Sequence, residues 1–194
     1  EAHVADYSPD LRVLGDLLMP KVKAADAVII SDYGKGFVTN ELLELVSGHA
    51  RFVAIDPKPS RLLKYSGPDL LTPNRLEALE LAGLSRETRG PFPQMEVVDR
   101  IFERFAPNML AITLGSEGML LAKDGKIKST IPTAAREVFD VSGAGDTVIA
   151  SLTMALVSGE SFEHSAEFAN LAAGVVVGKV GTATASPYEI LNHL

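Results

Sequence analysis

Apolar residues fall along this chain in short blocks punctuated by Gly, Pro, Asp and Asn, and the blocks alternate between two periods. Residues 26–30 and 52–55 are brief apolar runs closed by Ser31-Asp-Tyr-Gly34 and by Asp56-Pro-Lys-Pro59, which is how parallel strands buried on both faces read. Between them, residues 39–47 carry Leu42, Leu43, Leu45 and Val46 on a helical stripe. Leu70-Leu71 predicts a third strand that leads through Thr72-Pro-Asn74 into a helix reaching Leu81, ended by Gly83. A further helix is predicted over residues 96–105 and a further strand over 109–113. Strands that alternate with helices specify a doubly wound α/β sheet.

Beyond Thr113 the period changes. Residues 118–122 and 126–130 flank Asp124-Gly125, a pair that marks a two-residue hairpin, so an antiparallel edge follows the parallel core. The last third predicts helices over residues 143–157, 162–179 and 187–193. No repeat, low-complexity tract or linker interrupts the chain, and residues 1–194 read as a single domain.

Composition narrows the function classes. With 194 residues and 46% hydrophobic content the chain can bury a core. A formal charge of −7 without any Lys/Arg cluster argues against a nucleic-acid surface. Lack of cysteine removes disulfides and thiolate metal sites and is compatible with a reducing cytoplasm. His3, His49, His164 and His193 have no ligand spacing, so no zinc site is expected. The longest uncharged run, residues 147–159, is shorter than the ~20 apolar residues of a membrane span. The acidic, mixed start at Glu1 predicts no secretory leader.

In open α/β sheets ligands collect at the carboxyl ends of the strands. Four loops rich in Gly, Asp, Lys and Asn are expected there: Ser31-Asp-Tyr-Gly-Lys-Gly36, Asp56-Pro-Lys58, Thr72-Pro-Asn74 and Thr113-Leu-Gly-Ser-Glu-Gly118. Asp140-Val-Ser-Gly-Ala-Gly-Asp146 runs directly into the apolar helix that follows. Its small residues Gly143, Ala144 and Gly145 let successive amides converge on one point at a helix start, which binds phosphate. Asp146 in the same turn has two readings: a base for a hydroxyl that attacks phosphorus, or an acid complementing the helix dipole. A Walker A string is absent, and Val148 stands where a dinucleotide fingerprint needs its third glycine.

The other strings are equally two-sided. Asn74-Arg-Leu-Glu77 has capping-box spacing and also suits the ordering of Mg²⁺-bound water beside a phosphate. The Thr113 loop fits a plain strand-to-hairpin turn or a nucleotide contact through its amides and the Ser116 hydroxyl. Lys35 and Lys58, with the neighbouring Asp32, are substrate candidates as point charges for phosphate, or else solvated surface residues.

Taken in order, Asn-x-x-Glu, Thr-x-Gly-x-x-Gly and Asp-x-Ser-Gly-Ala-Gly-Asp resemble the ribokinase-like carbohydrate kinases, the PfkB family, from about Ala25 to the C-terminus. Within it, Ser31-Asp-Tyr-Gly-Lys-Gly36, Asp56-Pro-Lys58, Leu71-Thr-Pro-Asn74 and Ala172-Ala-Gly-Val-Val-Val-Gly-Lys-Val-Gly-Thr182 look most like the heptose 7-phosphate kinases of bacterial ADP-heptose synthesis.

The resemblance implies a three-layer α/β/α fold with a mainly parallel sheet and an antiparallel edge hairpin. It implies Asp146 as general base, with Gly143, Ala144 and Gly145 as anion hole. ATP would contact Thr113, Gly115, Ser116 and Gly118, its adenine bordered by Asn170 and Ala173, and Mg²⁺ would be held through water by Asn74 and Glu77. Asp140 and Ser142, with backbone near Val176 and Gly181, match the monovalent-cation loop of some members, such as one for K⁺, where Ala185 offers no side-chain ligand. Asp32, Lys35 and Lys58 become candidates for the sugar phosphate or the γ-phosphate. Family members carry further N-terminal strands and a β lid before the equivalent of residues 27–30, and often dimerise through that lid. The chain therefore reads as the C-terminal, nucleotide-binding portion of a longer kinase, or else as a naturally shortened relative, and the exposed sheet edge where those strands would pair, which invites aggregation, favours the former. The expected activity is ATP-dependent phosphorylation of the anomeric hydroxyl of D-glycero-D-manno-heptose 7-phosphate, a step toward lipopolysaccharide. A ribose, fructose or nucleoside kinase and a non-catalytic nucleotide-binding remnant are the alternatives, and whether the portion is active alone stays open.

Overall fold

The computed structural model describes residues 9–59, 63–87 and 90–193. One six-stranded sheet runs in chain order through β1 (Val28–Ser31), β2 (Val53–Asp56), β3 (Leu70–Leu71), β4 (Met109–Thr113), β5 (Met119–Lys123) and β6 (Lys126–Ile131). The first four strands are parallel, and β4–β5 and β5–β6 are antiparallel. The reversal occurs at the expected hairpin: Asp124 and Gly125 adopt φ of 53° and 71°, the paired positive angles that match the twist of the flanking strands.

Side chains alternate across each strand and so feed two cores. Val53, Ile55, Leu71, Leu110, Ile112 and Leu120 face one side, which is covered by α1 (Leu11–Ala24), α2 (Asn40–Ser47), α3 (Arg75–Leu81) and α4 (Gln94–Phe105). Ala54, Leu70, Ala111, Met119 and Leu121 face the other, against α5 (Ala144–Val157) and α6 (Phe162–Val177). The result is the expected three-layer arrangement. On the second face Ala54 of β2 is small where α5 packs on β1 and β2, so helix and sheet approach closely and the start of α5 is carried toward the strand ends. α7 (Pro187–His193) lies on α6, with Ile190 against Ala172 and Val175.

One helix was not expected. α1 starts at Asp10, whose side chain accepts from the Arg12 amide, and continues through Pro20. A proline removes an amide and crowds the preceding turn, which disguises the pattern in the sequence. Packing of Leu11, Leu14 and Leu18 on the first core offsets that loss. β1 pairs on one side only among the described residues, and Ile29 is 42% exposed.

Candidate active site

The strand register sets the floor of the site. Ser31 pairs with Asp56 and the Asp32 amide donates to the Asp56 carbonyl at 3.0 Å, so β1 and β2 end level, each with an acid. Asp32 is buried. Its Oδ1 accepts from the Gly34 amide at 2.8 Å and its Oδ2 from the Tyr65 hydroxyl at 2.6 Å. The wholly buried Tyr65 also lies 2.8 Å from the Lys58 carbonyl, and its one proton is shared between these acceptors. Burial, then the bond to Asp32, pushes the Tyr65 phenol well above its ordinary value, so it remains a donor. One side chain thus pins both strand-end loops.

The roof is the start of α5. Gly143 is the N-cap at φ 79°, and no side chain caps the helix. The Thr147 amide and hydroxyl turn back to the Gly143 carbonyl at 2.9 and 2.8 Å. The Ala144 amide is engaged with the Val141 carbonyl at 3.2 Å, so it differs from the expectation for the anion hole. Among the described residues the amides of Gly143, Gly145 and Asp146 find no acceptor. Free amides at the positive end of a helix dipole attract an anion. Asp146 is exposed in the same turn.

Floor and roof enclose a cleft of about 170 Å³ that Asp32, Asp56, Glu77 and Asp146 line together with Lys58. Glu77 arrives through the capping box of α3: Asn74 Oδ1 accepts from the Leu76 and Glu77 amides at 3.0 Å each, and Glu77 Oε2 accepts from the Asn74 amide at 2.9 Å. The structural reading of Asn-x-x-Glu is therefore realised, yet Glu77 Oε1 also reaches Lys58 Nζ at 3.4 Å and faces the cleft. The Asn74 side-chain oxygen is spent on the cap, and Asn74 does not line the cleft. Lys35 is exposed and outside it.

Asp56 and Tyr33 lie in loops expected at the site, but the sequence assigns neither of them a role of its own. Asp56 ends β2 with a carboxyl pushed up to about 7, first by burial, then by the charges of Glu77 and Asp146, with Lys58 opposing and Asp32 adding. Its available signal was a carboxylate closing an apolar strand. Tyr33 donates to Asp146, 3.3 and 3.4 Å from its two oxygens, a meeting that no local string announces. Among the described residues no three carboxylates or imidazoles are close enough to hold a metal by themselves. The surplus of acid over the single Lys58 still fits a hard divalent cation that keeps waters and borrows phosphate oxygens.

The positions expected at the nucleotide form a second group. Thr113 bridges Asn74 in parallel and donates its amide to the Pro73 carbonyl at 3.1 Å. Gly115 and Ser116 lie exposed on a short 3-10 turn, where a Cβ added to Gly115 meets nothing within 4 Å. Gly118 is constrained instead by the hairpin: an added Cβ would lie 1.9 Å from the Ile131 carbonyl oxygen. Asn170 donates to the Pro132 carbonyl at 2.8 Å, and Ala173 packs against the second core. The turn and α6 therefore meet at the Ile131–Pro132 backbone.

The third group is the loop ahead of α5. Asp140 Oδ1 accepts from the Ser142 amide at 2.9 Å and Oδ2 from the Gly181 amide at 3.2 Å, while the Phe139 amide reaches the Val177 carbonyl at 2.8 Å. The Ser142 amide, above all, holds the Asp140 carboxyl below its ordinary range. Both segments expected of a cation loop are joined. With Asp140 committed to amides and Ala185 without a donor, a cation there would rest on carbonyl oxygens.

The described residues contain no helix long and apolar enough to cross a membrane. The sequence model of the pfkB family carbohydrate kinases matches residues 8–189. The chain belongs to this family. It is 42% identical over 184 residues to the bifunctional protein HldE of Sulfurimonas denitrificans, covering 93% of this chain and 38% of that one. Against the HldE of Geobacter sulfurreducens the identity is 46% over 173 residues, with 87% and 35% covered. This chain thus spans less than two-fifths of these relatives. Among solved structures, Escherichia coli phosphofructokinase-2 in complex with potassium superposes with a TM-score of 0.80 at 18% identity, over 94% of this chain and 60% of that one. Arabidopsis thaliana ribokinase complexed with ribose and ATP gives 0.74 at 23%, over 92% and 58%. At such identities the structures speak for the ribokinase-like fold alone.

Proposed function

We propose that this pfkB chain is the nucleotide-binding and base-carrying part of a cytoplasmic, ATP-dependent sugar kinase domain, acting on the anomeric hydroxyl of D-glycero-D-manno-heptose 7-phosphate. The observation that carries the reading is Asp146 exposed in the first turn of α5, beside the free amides of Gly143 and Gly145 and over the acidic cleft. A carboxylate there can take the acceptor's proton while the amides hold charge that develops on the transferring phosphoryl group. Little covalent work is asked of the protein in such a transfer; positioning and charge stabilisation suffice.

In this reading ATP lies along the turn at Thr113, Gly115 and Ser116, with adenine toward Asn170 and Ala173. Gly118 serves by shaping that turn rather than by touching the nucleotide. Bound Mg²⁺ supplies neutralising charge to the phosphates, and Asp56 and Glu77 are the residues that would hold it through water. Lys58, anchored by the Tyr65 bond to its carbonyl, meets a phosphate as a point charge, and Lys35 awaits the sugar phosphate on the exposed Gly34–Gly36 loop. The heptose assignment is supported by the Asp56-Pro-Lys58 and Ser31–Gly36 strings and by the similarity to HldE proteins.

The test is a substrate panel with the full-length protein that contains this chain, supplied with ATP and Mg²⁺. Heptose 7-phosphate should be turned over well above ribose, fructose 6-phosphate and adenosine. Preference for any of those three would contradict the substrate assignment.

A further inference from the structure

The contact between Tyr33 and Asp146 joins residues 113 positions apart at the mouth of the cleft. It is not a packing contact. Tyr33 is 66% exposed, and oxygen separations of 3.3 and 3.4 Å exceed the ~2.5–3.0 Å usual between hydroxyl and acceptor. A long, exposed hydrogen bond of this kind contributes little to folding.

The surroundings nevertheless hold residue 33 in place. Asp32 on one side is clamped by Tyr65 and by the Gly34 amide. Gly34 on the other side sits at φ 65°, where an added Cβ would lie 3.2 Å from the Lys58 stem. The clamp on Asp32 holds the backbone on that side, while the exposed ring can swing, as exposed side chains do within nanoseconds. A base must be within hydrogen-bond reach of the hydroxyl whose proton it takes. The Tyr33 hydroxyl is where that acceptor hydroxyl belongs.

We propose that Tyr33 is a specificity-determining residue: its hydroxyl occupies the acceptor position on Asp146 until a sugar hydroxyl displaces it, and so keeps water off the base. The inference rests on Asp146 being the base. Water in that position would attack the γ-phosphorus, pass its proton to Asp146 and expel ADP with the electron pair of the broken P–O bond, leaving inorganic phosphate. A sugar brings enough other contacts to swing the phenol aside, and a lone water molecule does not.

Two rates of the full-length protein with ATP and Mg²⁺ decide the matter: phosphate release without sugar, and transfer to D-glycero-D-manno-heptose 7-phosphate. Tyr33→Phe keeps the ring and removes the hydroxyl. The ratio of hydrolysis to transfer should rise about three- to tenfold, the range for one net hydrogen bond, and Tyr33→Ala should raise it at least as far. A merely structural role would lower both rates together, and an unchanged or smaller ratio in Tyr33→Phe overturns the proposal. Asp146→Asn tests the premise separately. If that variant loses transfer the base stands and the Tyr33 ratio is decisive, whereas full transfer by it removes the base and the Tyr33 inference with it.

Discussion

Asp56 meets four opponents of its ionisation at once: burial, Glu77, Asp146 and Asp32. Its folded value, pushed up to about 7, stands above the ordinary 3.8, so between these pH values the folded chain keeps a proton that the unfolded chain has lost. Stability from this group is therefore present in full below about pH 4 and is lost as pH rises through about 7. Asp56→Asn should flatten that slope and raise stability at pH 8 by roughly 2–3 kcal/mol, read by denaturant unfolding at pH 5 and pH 8. Lower stability of the variant at pH 8 would show that the acid is not strained there. Gly118 makes the opposite point, since its constraint is steric. Gly118→Ala should cost roughly 2–4 kcal/mol in the same assay, because the new Cβ overlaps the Ile131 carbonyl and the positive φ strains it further. The gathering of Gly143, Gly145 and Asp146 at one helix start was legible because their string is unusual. The loops of Asp56 and Tyr33 were legible but not the part either side chain plays, because their chemistry comes from neighbours brought close only by the fold.

Elements were easier to read than residues. Among the described residues, short apolar runs ended by turn residues found the four parallel strands, and Asp124-Gly125 found the hairpin of β5 and β6, since both signals are local. α1 did not emerge because Pro20 interrupts its stripe, and only packing on the first core explains why the helix persists. The placement of α5 was not legible either, because it depends on which face of the sheet receives alanine. Ala54 keeps the second face shallow under that helix. Ala54→Leu should cost roughly 1–3 kcal/mol by overpacking and should also lower phosphoryl transfer in the full-length protein, because it lifts α5 and its free amides from the strand ends. An overpacked variant with undiminished transfer would show that the amides need no such seat.

At the scale of the whole molecule, a chain with net charge −7 holds an acidic cleft and is proposed to receive a polyphosphate. In the proposed function the α5 amides, Lys58 and a divalent cation arriving with the nucleotide would resolve that conflict locally. ATP with Mg²⁺ at a hundred times its dissociation constant should therefore stabilise the full-length protein by about 2.7 kcal/mol, and chelation of the metal should remove most of that gain. Equal stabilisation by ATP with and without chelator would contradict the role given to Asp56 and Glu77. The most direct test of the account is Asp146→Asn in the full-length protein, with turnover of D-glycero-D-manno-heptose 7-phosphate measured beside calorimetric ATP affinity. Turnover is expected to fall by about 10²–10⁴-fold while nucleotide affinity stays within about threefold, less than 1 kcal/mol. Turnover that survives the substitution would contradict the assignment of Asp146 as the base.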